Sequence, residues 1–343
     1  MGIKLRKAKY YFSEGRIRAS WNLLSQVQSI EPSQPEVYMV KGMIEVLNKK
    51  FDEAENWFNK AIELAGDEAV DMYYTIASTL ETAHQYKSAS AYYEMAYRAG
   101  GNTDSELLYD LAYCNEKGGN IGRSLKYYRK YLDVNPFSET AWYNLGVINY
   151  NDENWKNAME AFEYSLTVDP RYLPALQGKA RVLIQQELYD KGISTYLDYL
   201  DEEAPDAEAC FEIGDAYRHA GRDKDALTYF KLALNKDDEY ADAHYGIALL
   251  SFEKGEYMQS LMHLRSAIRV SSYNPDYWYT AALASRNLGL HGEAEDAFEK
   301  ALELYPYDPE FWLGYADLKY DSGKLELAIE LLTRGASYNK NTA

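Results

Sequence analysis

Apolar positions recur along this chain on two scales. Over short stretches they fall three and four residues apart, the spacing of one helix face, as in Trp142, Leu145 and Gly146 and again in Ala158, Phe162 and Ser165. Over long stretches the whole pattern returns every 34 residues, in ten registers that start at residues 1, 35, 70, 105, 139, 173, 207, 241, 275 and 309. The eighth position of each register is small: Ala8, Gly42, Ala77, Ala112, Gly146, Ala180, Gly214, Ala248, Ala282 and Ala316. The twenty-fourth is large and mostly aromatic: Leu24, Phe58, Tyr93, Tyr128, Phe162, Tyr196, Phe230, Leu264, Phe298 and Leu332. Position 20 is small again, from Ser20 and Ala54 through Ser124 and Gly192 to Ala328. Small residues let two crossing helices approach closely, and a large side chain on the facing helix fills the gap beside them.

Each register therefore predicts two helices joined by a short polar turn. In residues 139–172 the first helix is expected over roughly Thr140 to Asn151 and the second over Trp155 to Val168, with Asp169-Pro170 closing the unit. Glycine marks many of the turns, at Gly15, Gly119, Gly221, Gly255, Gly289 and Gly323. Position 27 is enlarged at Tyr131 and Tyr199, where position 20 is Ser124 or Gly192, which reads as volume compensation. The registers predict one array over residues 1–343, with repeats 1–34, 35–68, 70–103, 105–138, 139–172, 173–206, 207–240, 241–274, 275–308 and 309–342. Single-residue insertions fall near Ala69 and Asp104. Such an array has no single core, because each unit buries its apolar face against its neighbours.

The pattern resembles the tetratricopeptide repeat family over essentially residues 1–340. The unit ETAWYNLGVINYNDENWKNAMEAFEYSLTVDPRY carries the family's Trp142, Leu145, Gly146, Ala158, Phe162 and Pro170. The general look is similar to that of bacterial multi-repeat scaffold proteins. The resemblance implies an all-α, right-handed superhelical solenoid of about ten hairpins, with an inner groove lined by the first helix of each. The first and last units depart most. Lys4 and Lys7 occupy normally apolar positions, and Leu325, Ile329 and Leu332 are expected to meet solvent.

The net charge of −18 argues against a uniform nucleic-acid binder, which needs a basic surface to neutralise phosphates. Residues 1–20 run against this balance, with Lys4, Arg6, Lys7, Lys9, Arg16 and Arg18 against Glu14, and are read as a polar cap on the array. Two cysteines in different repeats, Cys114 and Cys210, predict no disulfide framework and a reducing, cytoplasmic setting. No 18-residue apolar run and no secretory h-region occur, so no membrane insertion is expected.

Nothing in the chain spells out chemistry. His84, His219, His244, His263 and His291 show no metal-ligand spacing, and no nucleophile-elbow, zinc-protease or phosphate-loop motif occurs. His244 and Cys210 stand where other repeats carry Trp, and are expected to pack. The GxxG at residues 119–122 falls at a hairpin turn. No enzyme activity, metal or cofactor is expected.

Positions 2, 5, 9 and 12 share one face of the first helix. Position 5 reads Met39, Tyr74, Tyr109, Tyr143, Gln177, Phe211, Tyr245, Tyr279 and Leu313, a row suited to binding because tyrosine joins a rigid ring to a polar tip. The same row is equally suited to packing between repeats. Tyr113, Asn144, Tyr150, Arg181, Arg218 and His219 add polar groups, and the two arginines suit a carboxylate. Acidic residues flank the face at position 2: Glu36, Asp71, Glu106, Glu208, Asp242, Asp276 and Glu310. An extended peptide with hydrophobic anchors and basic residues is the ligand class this suggests. The carboxylate clamp of chaperone-tail-binding family members is not expected: Asn144 matches its middle element, but Tyr109, Tyr113, Pro174 and Gly178 stand at its other positions. The reading is thus a non-catalytic scaffold or adaptor. Its alternatives are an assembly protein that self-associates through the ends of the array, and an interaction arm of a larger enzyme.

Overall fold

The 34-residue pattern folds as a series of helical hairpins. The structure is a computed structural model that describes residues 2–66, 69–100, 105–202 and 206–340. It forms two compact units, residues 1–175 and 176–343. The first contains α1 (Gly2–Ser13), α2 (Ile17–Ile30), α3 (Pro35–Leu47), α4 (Phe51–Ala65), α5 (Val70–Thr82), α6 (Tyr86–Arg98), α7 (Ser105–Lys117), α8 (Ile121–Val134), α9 (Glu139–Asn151) and α10 (Trp155–Val168). Helix α11 (Leu173–Gln185) carries the division. The second continues with α12 (Tyr189–Glu202), α13 (Ala207–His219), α14 (Asp223–Lys236), α15 (Ala241–Glu253), α16 (Tyr257–Val270), α17 (Pro275–Asn287), α18 (His291–Leu304), α19 (Pro309–Asp321) and α20 (Leu325–Lys340). Among the described residues there is no strand, and no helix is long and apolar enough to cross a membrane.

The small and large positions meet as the pattern demands. Nine of the ten residues at position 24 are essentially fully buried, and the tenth, Leu332, is 46% exposed. A Cβ on Gly42 would lie 2.4 Å from Phe58, one on Gly146 2.5 Å from Phe162, and one on Gly214 2.7 Å from Phe230. Each of these rings lies against a bare stretch of backbone. Where position 24 is tyrosine the buried hydroxyl needs an acceptor. Tyr93 donates to Glu81 at 2.7 Å, Tyr128 to Glu116 at 3.2 Å, and Tyr196 to Glu212. At position 20, Ser20 donates to the Ala8 carbonyl at 2.8 Å, whereas the buried hydroxyls of Ser124 and Ser260 have no partner.

Of the enlarged residues at position 27, Tyr131 is accommodated by an aromatic neighbour. Tyr131 packs on Tyr109 with ring centroids 5.3 Å apart. Gly192 is required by Ile184, whose Cγ1 lies 2.8 Å from where its Cβ would stand. The side chain of Tyr199 and the insertion at Asp104 lie outside the described residues. The GxxG stretch is the turn between α7 and α8.

The ten turns are alike in their backbone. Position 15 has positive φ throughout, at Gly15, Lys49, His84, Gly119, Glu153, Glu187, Gly221, Gly255, Gly289 and Gly323. Its N–H bonds the carbonyl of position 12, as in Glu153 to Tyr150 at 3.0 Å, and the next N–H reaches back to position 11, as in Asn154 to Asn149 at 2.9 Å. This is a Schellman closure, which satisfies the last carbonyls of the first helix. The carbonyl that follows at position 16 already accepts from position 20, as in Asn154 to Ala158 at 2.9 Å, so one residue ends the first helix and opens the second.

A side chain at position 4 ties down the loop before each of several hairpins. The indole N–H groups of Trp142, Trp278 and Trp312 donate to the carbonyls of Pro136, Ser272 and Pro306 at 2.8–2.9 Å. The Tyr38 hydroxyl does the same to Pro32 at 2.8 Å, and His244 Nε2 lies 3.2 Å from the Asp238 carbonyl. The packing role expected of His244 therefore includes standing in for an indole donor. Cys114 and Cys210 are both buried and free.

The turn geometry is testable by substitution. A Cβ at Gly221 meets nothing within 4 Å, so Gly221→Ala strains only the left-handed backbone and is expected to cost about 1 kcal/mol. Glu153→Gly, at φ +55°, is expected to be neutral or to stabilise by up to about 1 kcal/mol. Thermal melts of the two variants check both signs.

Candidate functional site

Within the first unit, the position-5 rings lie beside the buried rings of position 24. Tyr74 sits on Tyr93 with centroids 5.4 Å apart, Tyr109 on Tyr128 at 5.8 Å, and Tyr143 on Phe162 at 5.9 Å. The second unit repeats this with Phe211 on Phe230 at 5.8 Å and Tyr279 on Phe298 at 5.9 Å. Their polar tips reach the next hairpin at position 6. Tyr74 donates to Asp110 at 3.0 Å, Asn144 donates to the Tyr109 hydroxyl at 3.1 Å, Gln177 donates to Glu212 at 3.3 Å, and the Tyr245 hydroxyl lies 3.4 Å from that of Thr280. Where position 6 is Gly314, the Tyr279 ring closes over it, 3.0 Å from where a Cβ would be. Position 5 thus knits successive hairpins together, and its rings are half-buried except for Tyr74, which is more open. Burial pushes the Tyr109, Tyr245 and Tyr279 hydroxyls above their usual pKa.

Some of the expected residues gather round a cavity and others do not. A cavity of about 300 Å³ in the first unit is walled by Tyr74, Tyr109 and Tyr131, with Glu106, Asp110, Ser138 and Thr140 around it. A second hollow, of about 420 Å³, shares Tyr74 and Glu106 and adds Asp71 and Thr75. Tyr143 packs on Tyr172 with centroids 5.7 Å apart. Tyr113 rests on Tyr86 at 6.0 Å under the Lys117 ammonium, and Tyr150 on Trp155 at 5.2 Å. Neither lines the cavity. Tyr131 does, and only its size had marked it in the sequence. Asp110 was absent from the expected set. Its signal was a polar residue at position 6, shared with Thr75, Asn144, Glu212 and Thr280.

The arginines of the second unit are not open for a ligand carboxylate. Arg181 Nη2 lies 2.5 Å from Glu212 and 2.7 Å from Glu208. Burial works against its charge, but these carboxylates outweigh it and hold its pKa up. Glu212 also accepts from Gln177 and Tyr196, so it is the hub of the cluster. Arg218 is held by Asp215 at 2.9 Å and donates to His219 Nε2 at 2.8 Å, while the His219 ring stacks on Tyr189. Farther along, Asp276 has its pKa raised by burial and then by the neighbouring charge of Asp308. Among the described residues no three metal-ligating side chains come together.

Tetratricopeptide repeat models match residues 35–68, 74–139, 117–171, 178–244 and 275–318, which is more than half of the chain. The chain belongs to the tetratricopeptide repeat family. Among curated proteins, this repeat chain is 23% identical over 217 residues to anaphase-promoting complex subunit 3 of Schizosaccharomyces pombe, covering 63% of the chain and 32% of that protein. The matched regions make up only 16–32% of the length of the curated relatives. Two solved structures share the fold. A tetratricopeptide repeat protein from Parabacteroides merdae ATCC 43184 superposes with TM-score 0.57 at 18% identity, covering 68% of this chain and 93% of that one. The hetero-tetramer Cut9-Hcn1 of the APC/C matches with TM-score 0.56 at 14% identity, covering 97% and 92%. The α-helical superhelix class expected from the sequence is the class of these repeat proteins.

The Glu212 cluster makes a prediction about what the repeat uses Arg181 for. Arg181→Met is expected to cost about 1–3 kcal/mol by leaving a half-buried carboxylate short of a partner. Adding Glu212→Gln should recover part of that loss in a double-mutant melt.

Proposed function

We propose that this tetratricopeptide repeat chain is a non-catalytic scaffold that binds an extended, basic peptide segment along the face of its first helices. The carrying observation is the first-unit cavity, where Tyr74, Tyr109 and Tyr131 stand beside Glu106 and Asp110. Ring faces and carboxylates together suit an ammonium or guanidinium group, with the methylene stem lying on the rings. In the second unit, crowding of Asp276 and Asp308 favours the same sign of ligand. Because Arg181 and Arg218 are engaged within the chain, recognition of an acidic side chain there drops out of the proposal. The chaperone-tail clamp also stays outside it. Phe211, Tyr245 and Tyr279 would act as apolar and hydroxyl contacts that accumulate along the segment. We further take the ten repeats to form one array over residues 1–343, working in a reducing cytoplasm that suits its two free cysteines. One matched relative is by name a subunit of a larger complex, which supports an adaptor role.

The test is fluorescence anisotropy with matched basic and acidic peptide pools at two salt concentrations. Basic peptides should bind at least about tenfold more tightly, a difference of about 1.4 kcal/mol, and salt should weaken them. Glu106→Gln with Asp110→Asn should remove that preference in a variant that keeps its helical circular dichroism. Equal affinity for both pools would defeat the reading.

A second reading is supported by α20, where Leu325, Ile329 and Leu332 are 54%, 57% and 46% exposed. An apolar face of this kind fits self-association. Sedimentation should then give a mass that rises with concentration, and Leu325→Gln with Leu332→Gln should hold it at one chain. A wild type that remains one chain at every concentration would remove this reading.

A further inference from the structure

His244 and His263 face each other within one hairpin, on α15 and α16, with their Nδ1 atoms 3.1 Å apart. The Asp238 carbonyl settles which tautomer His244 carries. A carbonyl oxygen only accepts, so the Nε2 that lies 3.2 Å from it is the protonated nitrogen. The Nδ1 of His244 is then a bare lone pair, and His263 must donate its own Nδ1–H to it. We infer that this histidine pair is an acid-sensitive joint in the second unit, which ties α15 to α16 at neutral pH and comes apart when both rings are protonated.

The geometry distinguishes the first proton from the second. A proton on His263 Nε2 leaves the Nδ1–H···Nδ1 bond in place and adds only charge. A second proton, on His244 Nδ1 while His263 is charged, sets two N–H groups against each other at 3.1 Å, and that bond cannot survive. The surroundings resist both steps. Burial lowers the pKa of each ring. Arg269 on α16 then acts on His244, and His244 itself and Lys231 on α14 act on His263. Against these stand only the carbonyl and the charge of Asp238 in the loop, which favour a charged His244. With folded pKa values below that of the unfolded chain, the folded unit binds fewer protons. Its stability is full above the ordinary histidine pKa and falls as the pH drops through the lowered values.

The equivalent pairs elsewhere show what a joint without this property looks like. Positions 4 and 23 are Trp142 and Ala161 in the fifth hairpin and Trp278 and Ala297 in the ninth. There one large and one small residue fill the space, and an indole N–H that does not titrate ties the loop. His244 with His263 divides a similar volume between two rings that titrate. A charged His244 keeps its Nε2–H on the Asp238 carbonyl, so the contact that acid removes is the one between α15 and α16, one residue before Tyr245, whose hydroxyl lies at Thr280.

The test compares the untagged wild type with His244→Trp/His263→Ala, which installs the pair of the fifth and ninth hairpins. Melting temperatures are measured from pH 7.5 to pH 5, and imidazole nitrogen shifts are followed by NMR in the wild type. Both rings should titrate below the ordinary value near 6.5. His244 should hold its proton on Nε2 at neutral pH, and the wild type should lose more melting temperature on acidification than the variant. Hydrogen exchange of α15 and α16, corrected for intrinsic pH dependence, should rise in the wild type alone. Parallel pH profiles of wild type and a folded variant would overturn the inference. If the variant does not fold, ordinary pKa values or a His244 proton on Nδ1 in the wild type would overturn it equally.

Discussion

How closely the two helices of a hairpin approach sets the terms for every other contact in this chain. Phe58, Phe162 and Phe230 lie where a single added carbon on Gly42, Gly146 or Gly214 would collide with them. Close approach buries the ring completely, and a buried ring fixes the rotation of both helices about their axes. That rotation decides which residues are left on the outer side of the first helix. The position-5 aromatics stand where they do because the position-24 rings beneath them have no freedom to move.

Much of this was legible in the amino-acid order. The alternation of small and large residues gives the hairpins, and the structure places α9 and α10 within a residue of where Trp142 to Val168 suggest. The four turns without glycine were harder to read. Lys49, His84, Glu153 and Glu187 adopt positive φ although their side chains do not favour it, because the closing hydrogen bonds dictate the conformation. Composition at one position shows preference, whereas geometry repeated by the neighbours on both sides is an obligation.

The candidate site was legible as a row of residue types but not as a set of partners. Arg181 stands on a helix face beside tyrosines and reads as a ligand contact, yet Glu208 and Glu212 close on it from α13. Charge at a position says nothing of whether a neighbour one repeat away already cancels it. The pairing of position 5 with position 6 of the following hairpin was present in the sequence, in Tyr109 with Asn144 and Gln177 with Glu212. It is hidden from a reading made one repeat at a time, because the two residues are 35 apart. His244 was placed correctly as a stand-in for tryptophan, but its tie to Asp238 and its meeting with His263 depend on ring orientations that no spacing rule supplies.

The turn inside each hairpin has no spare residue. The N–H groups of positions 15 and 16 both close the first helix, and the carbonyl of position 16 already belongs to the second, as at Asn154. An extra residue there would break both ends together. The single-residue insertions of this chain lie instead near Ala69 and Asp104, in the connections between hairpins. Length can therefore change at those seams without breaking a helix end, whereas inside the hairpin it cannot. The smallest piece that could be added or removed cleanly is a whole hairpin with its turn.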